Sequence, residues 1–118
     1  MIDKFSLQPK DIVLANPEYV DQKEQKVRPL LIISKALFHH NSNFVVCVGI
    51  TTSKEKQPYL IPISKKQIEG GELDFDSQVM CTRIISMRQD KLNKKIARIT
   101  PELYKNVMDK LKNDVLEL

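Results

Sequence analysis

Two short stretches of this 118-residue chain combine residue types that could act on a phosphate. The first is Val27-Arg28-Pro29-Leu30. Pro29 forces the residue before it into extended backbone, so Arg28 is predicted to stand at a rigid strand entrance beside a polar loop. A guanidinium held there can grip a phosphate with two hydrogen bonds, because its planar fork matches the oxygen spacing. The second stretch is Gly49-Ile50-Thr51-Thr52-Ser53, where three consecutive hydroxyls close an apolar run. Hydroxyls at a strand end can orient a phosphate oxygen or a nucleophile. Both stretches also have an ordinary explanation: charge commonly sits on solvated strand ends, and hydroxyls commonly cap turns.

Other chemistries find little support. There is no G-x-S-x-G, no HExxH and no phosphate-cradling glycine loop, and the chain has three glycines in all. The acidic residues are scattered over loops and a helix, whereas a two-metal nuclease needs them clustered, so no metal and no cofactor are expected. Cys47 and Cys81 lie in apolar strand-like runs without CxxC spacing. They read as buried thiols of a reducing cytoplasm rather than a disulfide or a zinc site. His39 and His40 fall in a turn and read as surface histidines, not as the pair of a two-histidine ribonuclease. Nineteen Lys and Arg against fifteen Asp and Glu give a net charge of +4, which favours a polyanion without demanding one.

The elements that must hold Arg28 and Thr51 are mostly short strands. Residues 11–15, 30–33, 44–51, 59–63, 77–87 and 96–99 are apolar or β-branched runs, two of them nearly continuous, as in strands covered on both faces. Pro62 pushes its strand toward a sheet edge, because it cannot donate a ladder hydrogen bond. A polar stretch from Asn16 to Lys26 reads as a long loop, and residues 52–58 as a second charged loop. Residues 35–43 read as a turn or a single helical coil. Ser64 is predicted to cap one helical turn stopped by Gly70-Gly71, and a short helical piece is predicted over 90–95. The strongest helix signal starts at Thr100-Pro101-Glu102, an N-cap followed by proline at the first helical position. Leu103, Val107, Leu111 and Val115 recur every four residues, flanked by Tyr104, Met108 and Leu118, as on an amphipathic helix packed against a sheet.

The length suits one domain, residues 1–118, whose modest core makes a dimer plausible on stability grounds. The longest apolar run, Phe44 to Ile50, is far too short for a membrane span, and Met1-Ile2-Asp3-Lys4 opens no secretory signal. A cytoplasmic protein is expected. Short strands with one closing helix point to a mainly β fold with α, a small barrel.

Together these stretches resemble a known family. Asp11-Ile12-Val13 with a loop leading to Arg28-Pro29 is similar to the opening of the MazF/PemK toxins, G-D-I/V followed by R-P. Ile50-Thr51-Thr52-Ser53 resembles their I-T-S/T strand end, and Asp76-Ser77-Gln78-Val79 their D-S-V-I/V strand start. Leu92-Asn93-Lys94-Lys95-Ile96 resembles their L-x-x-K-I segment, and Thr100-Pro101-Glu102 the start of their final helix. The order and spacing hold from about Lys10 to Leu118.

The resemblance implies an SH3-like β-barrel of the CcdB/MazF kind with a C-terminal amphipathic helix. It further implies a homodimer that cleaves single-stranded RNA and is silenced by a cognate antitoxin. Arg28 and Thr51 would be the catalytic pair, with the ribose 2′-hydroxyl attacking the adjacent phosphate to leave a 2′,3′-cyclic phosphate and a 5′-hydroxyl. Lys26, Ser53 and Arg83 would contact substrate; Arg83-Ile84-Ile85-Ser86 is matched to the family's Q-I-R-S/T stretch, so that Arg83 replaces an RNA-holding glutamine. Lys10 replaces the family's glycine before Asp11. Two alternatives share the fold: a gyrase-poisoning toxin, whose Trp-Gly-Ile tail this chain lacks, and a binding module without catalysis.

Overall fold

The computed structural model describes residues 6–17, 26–52, 56–73 and 76–118; most of the first polar loop, and Ser53 in the second, lie outside them. Seven strands run β1 (Asp11–Ala15), β2 (Arg28–Ile32), β3 (Phe44–Thr51), β4 (Leu60–Pro62), β5 (Ile68–Gly71), β6 (Gln78–Arg88) and β7 (Leu92–Ile99). Two helices join them, α1 (Ala36–Asn41) and α2 (Pro101–Lys110). The strands form one sheet in the order β4-β6-β3-β2-β1-β7-β5, with every pair antiparallel. This is the mainly β, barrel-like fold expected from the sequence, left open because β4 and β5 remain its edges. Pro62 lies on edge strand β4, where its missing N–H costs nothing.

The continuous apolar runs are explained by two cores, one on each face of the sheet. Ile12, Leu31, Val48, Ile50, Val79 and Cys81 share one face with Leu103 and Val107 of α2 and with Leu111 just beyond it. Val13, Ala15, Leu30, Ile32, Val45 and Cys47 share the other with Leu7, Met87 and Leu92. Alternate residues of β1, β2 and β3 therefore all find apolar partners. Both cysteines are buried free thiols.

Thr100 caps α2 by accepting the Leu103 N–H at 3.3 Å, with Pro101 at the first position. The expected stripe holds through Leu111, and then the chain widens into a π turn, Leu111–Val115. That wider turn carries Val115 off the stripe, leaving it 37% exposed, and Leu118 beyond it is 88% exposed.

Three other expectations are corrected. The helical piece expected over 90–95 is only a 3-10 turn at Gln89–Lys91, and residues 92–95 already belong to β7. Gln89 Nε2 pins that turn by donating to the carbonyls of His39 (2.8 Å) and Phe44 (2.9 Å), and pairing with β1 from Ala15↔Leu92 onward claims the backbone for the sheet. Gly70-Gly71 belongs to strand β5 instead of merely stopping a turn. Gly71 adopts φ +79°, and its backbone lies so close to β7 that a Cβ would meet the Ile96 carbonyl oxygen at 2.1 Å. His39 is fully buried, because residues 36–41 form a helix that turns it inward. Its ring bonds Ser34 Oγ at 2.5 Å and the Leu7 carbonyl at 3.0 Å, tying α1 to the segment before β1.

Among the described residues no helix is long and apolar enough to cross a membrane.

Candidate active site

Strand register brings the site together. Ala15 of β1 stands opposite Arg28 of β2. In the antiparallel β2–β3 pair the ladder ends at Leu30 opposite Gly49, and extending that register two residues back along β2 and two forward along β3 puts Arg28 across from Thr51. Thr51 in turn pairs with Gln78 of β6, and Gln78 with Pro62 of β4. Residues opposite one another in a ladder project from the same face. Ala15, Arg28, Thr51 and Gln78 therefore form one row across the sheet, on the face that carries Leu30, Ile32 and Cys47.

Arg28 and Thr51, both half-buried, line one open cleft of about 800 Å³. Thr52, Glu72, Ser77, Lys94 and Lys95 complete its polar lining. The Arg28 Nε is shielded from solvent, which strengthens its field toward any anion in the cleft. Ser77 is only 2% exposed, and its hydroxyl has no hydrogen-bond partner among the described residues. A buried hydroxyl in that condition costs stability unless something else engages it.

Lys95 is held at the rim by Asp11. The Asp11 carboxylate, 3% exposed, accepts from Arg98 Nη1 at 2.7 Å, pairs with Lys95 Nζ at 3.1 Å and accepts the Gln8 N–H at 3.0 Å. Asp11 is thus an anchor for β7 and for the turn before β1. Lys95 Nζ also donates to the Ser6 carbonyl. Lys94 is exposed beside it. Neither cysteine lines the cleft: burial pushes the Cys47 thiol up to about 12 and raises that of Cys81, against an opposing effect of Lys110. Among the described residues no three His, Cys, Asp or Glu side chains gather as a metal site would require.

The family model for PemK-like, MazF-like toxins of type II toxin–antitoxin systems matches residues 8–114. The chain belongs to the PemK/MazF-like toxin family. Solved structures of the same fold include the Mycobacterium tuberculosis toxin MazF-mt6, 18% identical, with a TM-score of 0.70 over 87% of this chain and 93% of that one. The MazE–MazF complex of Deinococcus radiodurans contributes a chain 16% identical, TM-score 0.71, with 89% and 92% covered. A mycobacterial endoribonuclease in complex with its cognate antitoxin is 17% identical, TM-score 0.68, with 87% and 88% covered. At such identities the likeness is one of fold. No curated protein matches the chain.

Within this PemK/MazF-like fold the residues expected from sequence divide into two groups. Arg28 and Thr51 come together. Lys26 is exposed two residues before Arg28 and does not line the cleft, and Ser53 lies outside the described residues. Arg83 also stands away from the cleft lining. Val48 pairs with Ile84 while the next residue, Gly49, pairs with Met80, so Cys81, Thr82 and Arg83 are bulged out of the β3–β6 ladder. The glutamine beside Thr51 is Gln78. Its signal was present in Asp76-Ser77-Gln78-Val79, but only the register shows that it pairs with Thr51, and it does not itself line the cleft. Glu72, Ser77 and Lys94 were also missed as site residues. Lys94 sat within a quoted motif, whereas nothing local marked Glu72.

Proposed function

We propose that this PemK/MazF-like protein is a metal-independent endoribonuclease toxin that cuts single-stranded RNA by transesterification. One observation carries the reading: a cation and an alcohol, Arg28 and Thr51, line the same cleft. The nucleophile is the substrate's own 2′-hydroxyl, so no metal is needed to generate one, and DNA, lacking that group, resists. Arg28 stabilises the charge that grows on the phosphate oxygens, and Thr51 orients the same group. A guanidinium keeps its proton at neutral pH and is a poor base, so its contribution is electrostatic. Gln78 and Ser77 offer hydrogen bonds beside Thr51, and Lys94 a contact for a flanking phosphate. Lys26 and Arg83 add positive charge outside the cleft that draws the RNA backbone toward it.

The protein acts as a homodimer in the cytoplasm, and a cognate antitoxin silences it. Leu37, Phe38, Phe44 and Ile84 are 67%, 41%, 42% and 38% exposed, an apolar set suited to a second copy. The open edges at β4 and β5 suit an added antitoxin strand.

Purified protein incubated with single-stranded RNA in EDTA is expected to yield 2′,3′-cyclic phosphate and 5′-hydroxyl ends. An inert preparation, free of antitoxin, would refute the reading.

A further inference from the structure

Transesterification needs an acceptor for the 2′-hydroxyl proton, and neither Arg28 nor Thr51 supplies one. We infer that Glu72 is that acceptor. The inference rests on the ribonuclease reading above. Among the described residues Glu72 is the one carboxylate lining the cleft of Arg28 and Thr51. It also borders the adjoining hollow lined by Ile63, Ser64, Lys65, Ile68 and Leu73, so it stands on the ridge between the two.

The backbone fixes that ridge. The Glu72 N–H donates to the Ile96 carbonyl at 3.0 Å, and Gly71 just before it approaches the same segment of β7 closely enough to exclude any side chain. Glu72 is therefore carried on the sheet itself.

The other charged residues lining the two hollows are cationic. Arg28 reaches the cleft from β2, Lys94 and Lys95 from β7, and Lys65 lies across the second hollow. No further carboxylate lines either hollow among the described residues. A lone carboxylate would repel the RNA backbone, and Arg28, Lys94 and Lys65 offset that repulsion, Lys95 being already paired with Asp11. Asp11, which holds Lys95, stays outside the cleft lining.

A Glu72 carboxylate oxygen takes the proton from the 2′-hydroxyl while O2′ bonds to phosphorus. The P–O5′ bond breaks, its electron pair leaves on O5′, and water in the open cleft protonates that oxygen to the 5′-hydroxyl. The Glu72 carboxylic acid then returns its proton to solvent.

The test compares wild type, Glu72→Gln, Glu72→Asp and Arg28→Ala. Initial rates of 5′-hydroxyl end formation on one long RNA are measured across pH, and the ends are sequenced. Glu72 is exposed, so all Glu72 variants are expected to melt as wild type does. For wild type, kcat/KM rises with pH through an acid limb. Glu72→Gln is expected to lose that limb and to slow by on the order of a hundredfold or more, while Glu72→Asp keeps the limb and part of the rate. A Glu72→Gln enzyme with wild-type rate, or with its acid limb intact, overturns the inference. So does a shifted cut site at unchanged pH dependence, which would make Glu72 a reader of base identity. If wild type cuts, Arg28→Ala does not and Glu72→Gln does, only the Glu72 assignment fails. If wild type is inert, the ribonuclease reading fails with it.

Discussion

Gly71 at the cleft wall and its neighbour Gly70 are expected to respond to the same substitution with opposite signs. Gly71 has φ +79°, and an added Cβ would lie 2.1 Å from the Ile96 oxygen and 2.7 Å from the Ala97 Cα. Placing alanine in a left-handed conformation costs about 1–2 kcal/mol. Forcing a methyl group against fixed backbone adds about 1–3 kcal/mol, because β5 must move away from β7. Gly71→Ala is therefore expected to destabilise by roughly 2–5 kcal/mol, a large share of the ~5–15 kcal/mol available to a domain. Gly70 has no positive φ, and nothing lies within 4 Å of its virtual Cβ. Gly70→Ala removes only freedom of the unfolded chain, for a gain of about 0.4–1 kcal/mol. Urea denaturation of both variants reads the difference as a change in midpoint at constant slope. For a chain of this size the Gly71 variant should melt about 10–20 °C lower. Equal effects of the two substitutions would refute the close approach of β5 to β7, and with it the placement of Glu72.

Three further outcomes are expected. Lys10 sits at φ +81° where the family carries glycine, and its Nζ lies 5.5 Å from the centre of the Tyr104 ring. Lys10→Gly should be about 1 kcal/mol more stable than Lys10→Ala in urea, since both lose the ring contact and only glycine relieves the backbone; a more stable alanine variant would contradict this. The buried Cys47 thiol, raised from 9.0 to about 12, keeps its proton in the folded state after the unfolded chain has lost it. Stability attributable to Cys47 should therefore be intact below pH 9 and fall as pH rises toward 12, by up to roughly 4 kcal/mol, and Cys47→Ala should lack that component of the slope; parallel pH profiles would count against it. Phe38→Asp, at a position 41% exposed, should halve the mass seen by sedimentation with little change in helix and strand content; an unchanged mass would remove this patch from the dimer contact.

What the sequence made legible was local chemistry. Pro29 restrains Arg28 through a clash between neighbours, and Thr100-Pro101 starts α2 through contacts within one turn, so both could be read without a fold. Thr51 was legible because an apolar run ends there. Gln78 was not, since its place beside Thr51 depends on the β3–β6 register and on three bulged residues, Cys81 to Arg83, that break simple counting. Asp11 looked like a family signature, and its role emerged only from an ion pair with Arg98, 87 residues away in sequence. His39 looked solvated because its polar partners, Ser34 and the Leu7 carbonyl, are supplied by α1 folding back on the N-terminal segment. The start of β7 was hidden for a related reason. Its Lys-rich residues have no strand pattern of their own, and pairing with β1 overrides their propensity.

The central claim is that Arg28 and Thr51 act on one phosphate. The most direct test is a double-mutant cycle on RNA cleavage, with Arg28→Ala and Thr51→Ala alone and combined. Each single substitution is expected to slow the reaction, with Arg28→Ala losing on the order of 3 kcal/mol, about a hundredfold. The double variant should be little slower than the worse single one, because groups that serve the same charge are not additive. Losses that multiply in full, as if the two side chains worked at separate places, would contradict the account.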